Sequence, residues 1–404
     1  MIPIVPRSQT RHCKGQTRIL LKCALGEEYD GMVDDFEKRI ASFCGVKHAI
    51  AFSSGRAAFC ALLDSLNYPP DACVLMPSLN YPAMPMTVLK RGLNVSWIPL
   101  LEKSLAPDLE KTKASLPCNA RALVWPHYFG FPGPVDELLS FCRDHGLDLI
   151  EDSAHSLGTR YRGIHVGGFG RAAIFSYETS KIVNTFGGGM AVTNDDELRQ
   201  RLSESRESLA SLSKIDVSKR ALKSYLSALA TSRWGGSVFL YPALAVSRAL
   251  GMRDFVEERK EGAAPKSPFQ LAGLQSRVGL AHMDRLSNTL AVLKRQFLEI
   301  QKAIDCSGMG MYQAEEGCPN GFMTAGICKD AGELSRIFFK NGIDIKINYM
   351  RDCPELTPGL GAERCKPVSK RLFHVPNRTG FSESGFRKYI AAISRLLDSA
   401  DQRL

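Results

Sequence analysis

The chain has 404 residues, 44% hydrophobic, 23% charged and 8% aromatic, which excludes a collagen-like or broadly disordered protein because a large core can form. Its formal net charge of +10 favours anionic ligands without choosing among nucleic acid, phosphate esters and anionic membrane. Twelve cysteines run singly from Cys13 to Cys365 with no CxxC pair and no cluster with histidine, so no zinc or redox motif appears.

The opening MIPIVPRSQTRHCKG has no apolar stretch of signal-peptide length, and a reduced, cytoplasmic chain is expected. Short apolar runs then alternate with helix-like segments, the pattern of an α/β fold with a largely parallel sheet. Strands are predicted at His48–Phe52, Cys73–Pro77, Val95–Leu100, Ala122–Trp125, Leu147–Ile150, Ala172–Tyr177 and Gly189–Thr193, with helices at Arg56–Leu66 and Asp136–Asp144. From Asp195 to about Lys260 the chain reads as long basic helices. The uncharged run Trp234–Ser247 contains a proline and is shorter than the roughly 20 apolar residues of a membrane span. A core or interface helix is expected there, in preference to membrane-surface contact. Lys214, Lys219, Arg220 and Lys223 are spaced as a solvated helical face, without the interleaved aromatics of a nucleic-acid reader. The remainder, 262–404, reads as a smaller α+β domain ending in an amphipathic helix, Glu383–Leu397.

Four segments carry candidate chemistry, and in open α/β sheets ligands sit beyond the carboxyl ends of strands. In IFSYETSKIVNTFGGGM a strand delivers Ser176, and Lys181 follows on a turn before a glycine run. That placement suits a Schiff-base lysine beside a phosphate pocket, although for an isolated lysine a surface residue near a turn is the stronger reading. In LDLIEDSAHSLG, Asp152 follows a strand, where it could pair with a protonated ring nitrogen or simply cap a helix. The sequence AIAFSSGRAAFCAL places Ser-Ser-Gly between strand and helix, an anion-binding geometry that is common on its own. In PSLNYPAMP, Tyr81 either stacks on a flat ligand or packs in a loop. Together the four supply the parts of a pyridoxal phosphate site.

In order and spacing these segments resemble the DegT/StrS-type sugar aminotransferases, which have the type I fold of pyridoxal phosphate-dependent transferases. The fold expected is a large domain, its mostly parallel mixed sheet sandwiched by helices, plus a smaller α+β C-terminal domain. The resemblance runs from about Asp34 to Asp196, resumes at Phe269–Leu286 and returns more weakly at His374–Leu396. The set SSGxAA, PSxxY, EDxAH, FSxxxxK and GGG carries it. It implies Lys181 as the cofactor-binding lysine and proton carrier, Asp152 as partner of the ring nitrogen, and Tyr81 stacked on the ring. Ser176, with the main chain of Gly55, Arg56 and Ala57, would hold the phosphate, and His155 would lie near the ring hydroxyl. The implied reaction moves an amino group, from glutamate, to a keto or aldehyde group of a nucleotide-linked sugar within a homodimer. The expected division is an N-terminal segment 1–33, a large cofactor domain 34–200, a helical connector 201–261 and a small domain 262–404.

Some positions depart from the family pattern. Arg56 replaces the usual threonine, Arg171 the usual aspartate, and Pro268-Phe269-Gln270 an Asn–aromatic–Arg segment whose asparagine reaches the partner's phosphate. Arg56 is therefore a candidate to take over neutralisation of the anion. A second function class stays open, a cofactor-binding regulatory or scaffold protein with a degenerate substrate site and membrane-surface contact through 220–250.

Overall fold

A computed structural model describes residues 5–102, 104–232, 235–249, 269–311, 316–356 and 359–401. Among the described residues, fifteen strands follow one another. The first ten are β1 His48–Phe52, β2 Cys73–Pro77, β3 Leu79–Asn80, β4 Asn94–Ile98, β5 Ala120–Pro126, β6 Asp148–Asp152, β7 Arg160–Tyr161, β8 Ile164–His165, β9 Ala172–Ser176 and β10 Gly189–Thr193. The other five are β11 Gly317–Cys318, β12 Thr324–Ile327, β13 Lys346–Ile347, β14 Arg351–Asp352 and β15 Leu372–Val375.

Seven strands form the main sheet in the order β1-β10-β9-β6-β5-β2-β4. The run β9-β6-β5-β2-β4 is parallel, and β10 alone runs against both its neighbours, β1 and β9. This is the mixed, mostly parallel sheet the sequence predicts. The predicted bounds shift by a few residues at some strands: Asp152 is the last residue of β6 rather than the residue beyond it.

Side-chain alternation divides the sheet into two buried faces. On one face Ile50, Phe52, Val74, Met76, Val124, Ile150 and Ile174 pack under Ala58, Phe59 and Leu62 of the helix Gly55–Leu66. On the other, Ala51, Phe175 and Met190 meet Phe36 and Ile40 of the helix Met32–Cys44. Further along that face, Leu123, Trp125 and Leu149 meet Leu138 and Phe141 of the helix Val135–Asp144. A helix layer on each face removes water from both, which is why these strands read as nearly continuous apolar runs.

Towards the C-terminus the antiparallel sheet β12-β15-β13 packs with the helices Leu286–Cys306, Ala331–Lys340 and Glu383–Asp401 around Ile304, Phe338, Phe373 and Tyr389. The first described residues are tied to this part of the molecule. Val5 exchanges backbone hydrogen bonds with Gly342 and Asp344 at 2.9 Å each, and its side chain joins the same apolar cluster.

The basic segment forms the helices Asp196–Glu207 and Lys214–Ala230. Within the apolar run 234–247, Trp234 lies outside the described residues, a π-turn spans Gly236–Leu240, and the helix Tyr241–Ala249 follows. Tyr241 stacks on Phe339 at 4.5 Å between ring centroids, while Val238 and Val246 stay exposed. Among the described residues no helix is long and apolar enough to cross a membrane. Residues 250–268, including Pro268, lie outside the described residues.

Candidate functional site

The carboxyl ends of β1, β2, β5, β6 and β9 and the start of β10 share one edge of the main sheet. There, Gly55, Arg56, Tyr81, Asp152, His155, Ser176 and Lys181 border one cleft enclosing about 970 Å³ that includes open solvent. Of the residues expected from the sequence, Ala57 stays off the wall. Its N–H is taken at 3.1 Å by Ser54 Oγ, which caps the helix Gly55–Leu66. The other N–H groups of that first turn have no acceptor within the helix and form a ready anion site.

Close backbone packing builds the cradle. A Cβ on Gly55 would stand 3.1 Å from Ser176 Cβ and 3.3 Å from the Phe175 carbonyl oxygen. Gly189 is stricter, because a Cβ there would overlap the backbone of Ser54 and Gly55. Gly189 also pairs with Ser176 across the β9–β10 ladder. The glycine run thus lets helix, β9 and β10 converge on one point. On the outer side of the turn, Ser53 and Phe269 exchange hydrogen bonds at 3.0 Å, so the described end of the altered 268–270 segment is anchored beside the cradle.

Asp152 lies on the same face of the sheet as Ser176. Its Oδ1 accepts from Ala154 N at 3.0 Å in a turn, so it does not cap a helix. Burial pushes its carboxyl up, against the opposing pulls of the Ala154 amide, Lys181 and His127. A carboxylate in that state gains from any cation that docks against it. Lys181 is 7% exposed, its N–H bonded to the Glu178 carbonyl at 2.8 Å, and its ammonium lies 5.9 Å from the Phe322 ring centroid.

Tyr81 follows β3 and lies 6.4 Å, centroid to centroid, from Tyr349 at an interplanar angle of 28°. Tyr349 arrives there because β14 pairs with β3, Arg351 opposite Asn80. Its hydroxyl shares a 2.8 Å hydrogen bond with His155 Nε2. Burial raises the proton affinity of both tyrosines, which keeps their hydroxyls neutral. Arg56 borders the cleft and makes no ion pair among the described residues. Arg171 has a different task, tying Asp148 at 2.8 Å and Asp195 at 3.3 Å away from the cleft.

A buried pair supports Asp152 from the opposite face. Gly133 N donates to His127 Nδ1 at 3.0 Å, which leaves Nε2 as the nitrogen donating to Glu151 Oε2 at 2.9 Å. Glu151 also accepts from the N–H groups of Gly167, Phe169 and Gly170 at 2.7–2.8 Å. Burial alone would raise the Glu151 carboxyl; His127 and the backbone donors outweigh it and hold the group below its ordinary value. His127 N in turn donates to the Asp152 carbonyl at 3.1 Å.

Tyr349, Met350, Glu178 and Ser180 also border the cleft, and reading the sequence missed them. Glu178 and Ser180 sit inside FSxxxxK, where spacing to Lys181 is the available signal. Nothing local marks Tyr349 and Met350, since a strand pairing across the molecule brings them in.

A family model described as the DegT/DnrJ/EryC1/StrS aminotransferase family matches residues 26–310. GDP-perosamine synthase of Caulobacter vibrioides is 35% identical over 168 residues, 42% of this chain and 45% of that protein. Spore coat polysaccharide biosynthesis protein SpsC of Bacillus subtilis is 32% identical over 170 residues, 42% and 44% of the two chains. The matched stretch thus spans under half the length of these relatives. Among solved structures, DesI crystallised with its TDP-sugar product superposes with a TM-score of 0.73 at 20% identity, covering 100% of this chain and 95% of that one. The aminotransferase from Psychrobacter cryohalolentis gives 0.75 at 16% identity, covering 98% and 99%. At such identities the superpositions establish the fold, that of the pyridoxal phosphate-dependent type I transferases.

Proposed function

The chain belongs to the DegT/DnrJ/EryC1/StrS aminotransferase family, and on that premise we propose that it is a pyridoxal phosphate-dependent aminotransferase acting on a nucleotide-linked sugar. The amino donor in this reading is glutamate, and the acceptor is a keto or aldehyde group. The convergence of Lys181, Asp152, Ser176 and one helix N-terminus on a single cleft carries the reading. The nucleotide-sugar acceptor class is carried over from relatives named GDP-perosamine synthase and dTDP-3-amino-3,4,6-trideoxy-alpha-D-glucose transaminase.

The residues present fit the cofactor. Ser176 and the main-chain N–H groups at Gly55 and Arg56 would hold the phosphate, with the Arg56 side chain adding positive charge, while the Ala57 N–H stays with Ser54. Asp152, raised by burial, would take the protonated ring nitrogen as its cation. Tyr81 would face the ring, and His155, oriented by Tyr349, would lie by the ring hydroxyl. When bound, the cofactor supplies an electron sink for charge developing at the substrate Cα. Lys181, nearly enclosed beside Phe322, would take and return the proton at that carbon.

The same reading divides the chain into a cofactor domain at 34–200, a connector at 201–261 and a small domain at 262–404. It also makes the protein a homodimer of a reducing, cytoplasmic compartment, in keeping with twelve free cysteines. Absorbance of the purified protein tests it. A band at the visible edge that bleaches with glutamate and recovers with a keto-sugar nucleotide is expected, and Lys181→Ala should abolish it. A band inert to every amino donor would favour a regulatory or scaffold role instead.

A further inference from the structure

The helix Lys214–Ala230 presents aliphatic side chains on two opposite faces. Val217, Ala221 and Ser224 turn inward and are buried, and Asn184 donates to Ser224 Oγ at 3.0 Å. On the far side Ile215, Leu222, Leu226 and Leu229 are 52–66% exposed. Their spacing along the helix sets them in one stripe. Lys219 and Lys223 lie one turn apart beside the stripe, both exposed, and neither forms an ion pair among the described residues. Lys214 is held by Glu28 at 2.6 Å. The single acid of the helix, Asp216, accepts from Ser213 Oγ at 2.7 Å. The surface here forms only a shallow, open depression, lined by Lys214, Ile215, Ser218, Lys219 and Leu222. The run that follows has no charged residue from 234 to 247 and exposes Val238 and Val246 as well.

We propose that this face docks the protein on an anionic phospholipid bilayer, the leucine stripe entering the headgroup boundary and Lys219 and Lys223 meeting lipid phosphates. Docking of this kind is separate from the chemistry of the cleft and does not depend on it. Leucine and isoleucine beside lysine suit an interfacial helix, whose apolar side sinks roughly 5–10 Å into the boundary while its cations stay at headgroup level. Protein partners are gripped instead by aromatic and arginine anchors seated in pockets, and lysine is depleted at such contacts. The one aromatic residue of this helix, Tyr225, is already stacked on His12 at 5.3 Å between ring centroids. A second copy of the chain fits this face less well. A two-fold contact brings the same patch from both sides, so the patch would have to supply its own acids, and Asp216 is the single one on the helix. Four half-exposed side chains also fall far short of the roughly 800 Å² a side that a stable dimer buries. A bilayer supplies the negative charge itself and accepts a narrow stripe.

Co-sedimentation of the full chain with phospholipid vesicles tests the docking. Vesicles of phosphatidylcholine mixed with phosphatidylglycerol should bind at least about tenfold more tightly than pure phosphatidylcholine at low salt, and added salt should narrow the difference. Leu222→Ser with Leu226→Ser, and separately Lys219→Gln with Lys223→Gln, should each weaken binding by about fivefold or more. Lys329→Gln with Lys388→Gln removes the same charge from exposed positions elsewhere and should change binding by less than about twofold. Equal loss from the two lysine pairs, or no loss from the leucine pair, would reduce the effect to the attraction of a +10 chain for any anionic surface and overturn the docking face. Absence of binding by wild type, or equal binding to neutral and anionic vesicles, would overturn it too, and neither outcome requires a variant to fold. A leucine pair that changes the oligomeric state in size-exclusion chromatography but leaves vesicle binding intact would assign the face to a second copy instead. The unfolding midpoint of the leucine variant should stay close to that of wild type, since its substituted side chains are exposed.

Discussion

Glu151 and Asp152 are consecutive carboxylates on one strand, and the fold pushes them in opposite directions, Glu151 down and Asp152 up. The pleat turns them to opposite faces of the sheet. On one face Glu151 meets His127 and three backbone donors; on the other Asp152 meets one backbone donor and the mouth of a cleft. One is a structural anchor already satisfied. The other is held ready for a cation.

The raised carboxyl of Asp152 has a consequence for stability. A group whose folded pKa lies above its unfolded value, near 4, binds protons more readily in the folded chain, so its contribution falls as pH rises through the folded value. At neutral pH the ionised group therefore opposes folding until a cation docks. Asp152→Asn should raise the unfolding midpoint of cofactor-free protein by on the order of 1–3 °C. It should also lower kcat for amino transfer by about a hundredfold or more. Differential scanning and steady-state kinetics on one preparation measure both.

Glu151 behaves in the opposite sense. Its lowered carboxyl contributes stability that is complete above its unfolded value near 4.3 and is lost as pH falls through the folded value. Glu151→Gln should destabilise the protein by about 3 kcal/mol at pH 7 and flatten the acid limb of its stability profile. Urea unfolding at neutral pH and at about pH 4 gives the two numbers.

The glycines at the cradle should tolerate substitution according to what surrounds them. Gly189→Ala drives a methyl into the backbone of Ser54 and Gly55, and a loss of about 2–4 kcal/mol is expected, together with loss of phosphate binding. Gly146 has a positive φ of 63° and open space around it, so Gly146→Ala should lose only about 1–2 kcal/mol of stability and leave binding intact. Equal destabilisation by the two changes would contradict the packing account.

Tyr349→Phe removes the hydroxyl that fixes His155 and little else. Cofactor affinity should fall by roughly three- to tenfold, the equivalent of one hydrogen bond. Tyr81→Ala should lower it further by removing the ring itself. Fluorescence titration with pyridoxal phosphate separates the two effects.

The legible part of the site is the part that sits at strand ends. Ser176, Asp152 and the Ser-Ser-Gly turn each follow an apolar run whose length and limits are visible, and Lys181 is placed by its distance from Ser176. Tyr349, Phe322, Arg11 and Arg378 carry no such mark. Phe322 lies in a loop before β12, Arg11 in the N-terminal segment and Arg378 just beyond β15; only packing brings them to one cavity, whose wall Ser180 shares. His127 is visible as a polar strand end, but its pairing with Glu151 depends on the register of β5 against β6. Local period shows which residues point to a face, not which distant chain that face meets.

Gly55, Ser176 and Gly189 touch at one point although the chain produces them far apart in time. The edge strand β1 has β10 as its sheet partner, and β10 is the last main-sheet strand to be synthesised. Until residues through Thr193 have left the ribosome, β1 lacks that partner and the helix that follows it has no glycine backbone to close against. Contacts of such sequence separation form late in folding. The cradle is therefore complete only once the whole main sheet has been synthesised, and a nascent chain ending before the glycine run lacks it.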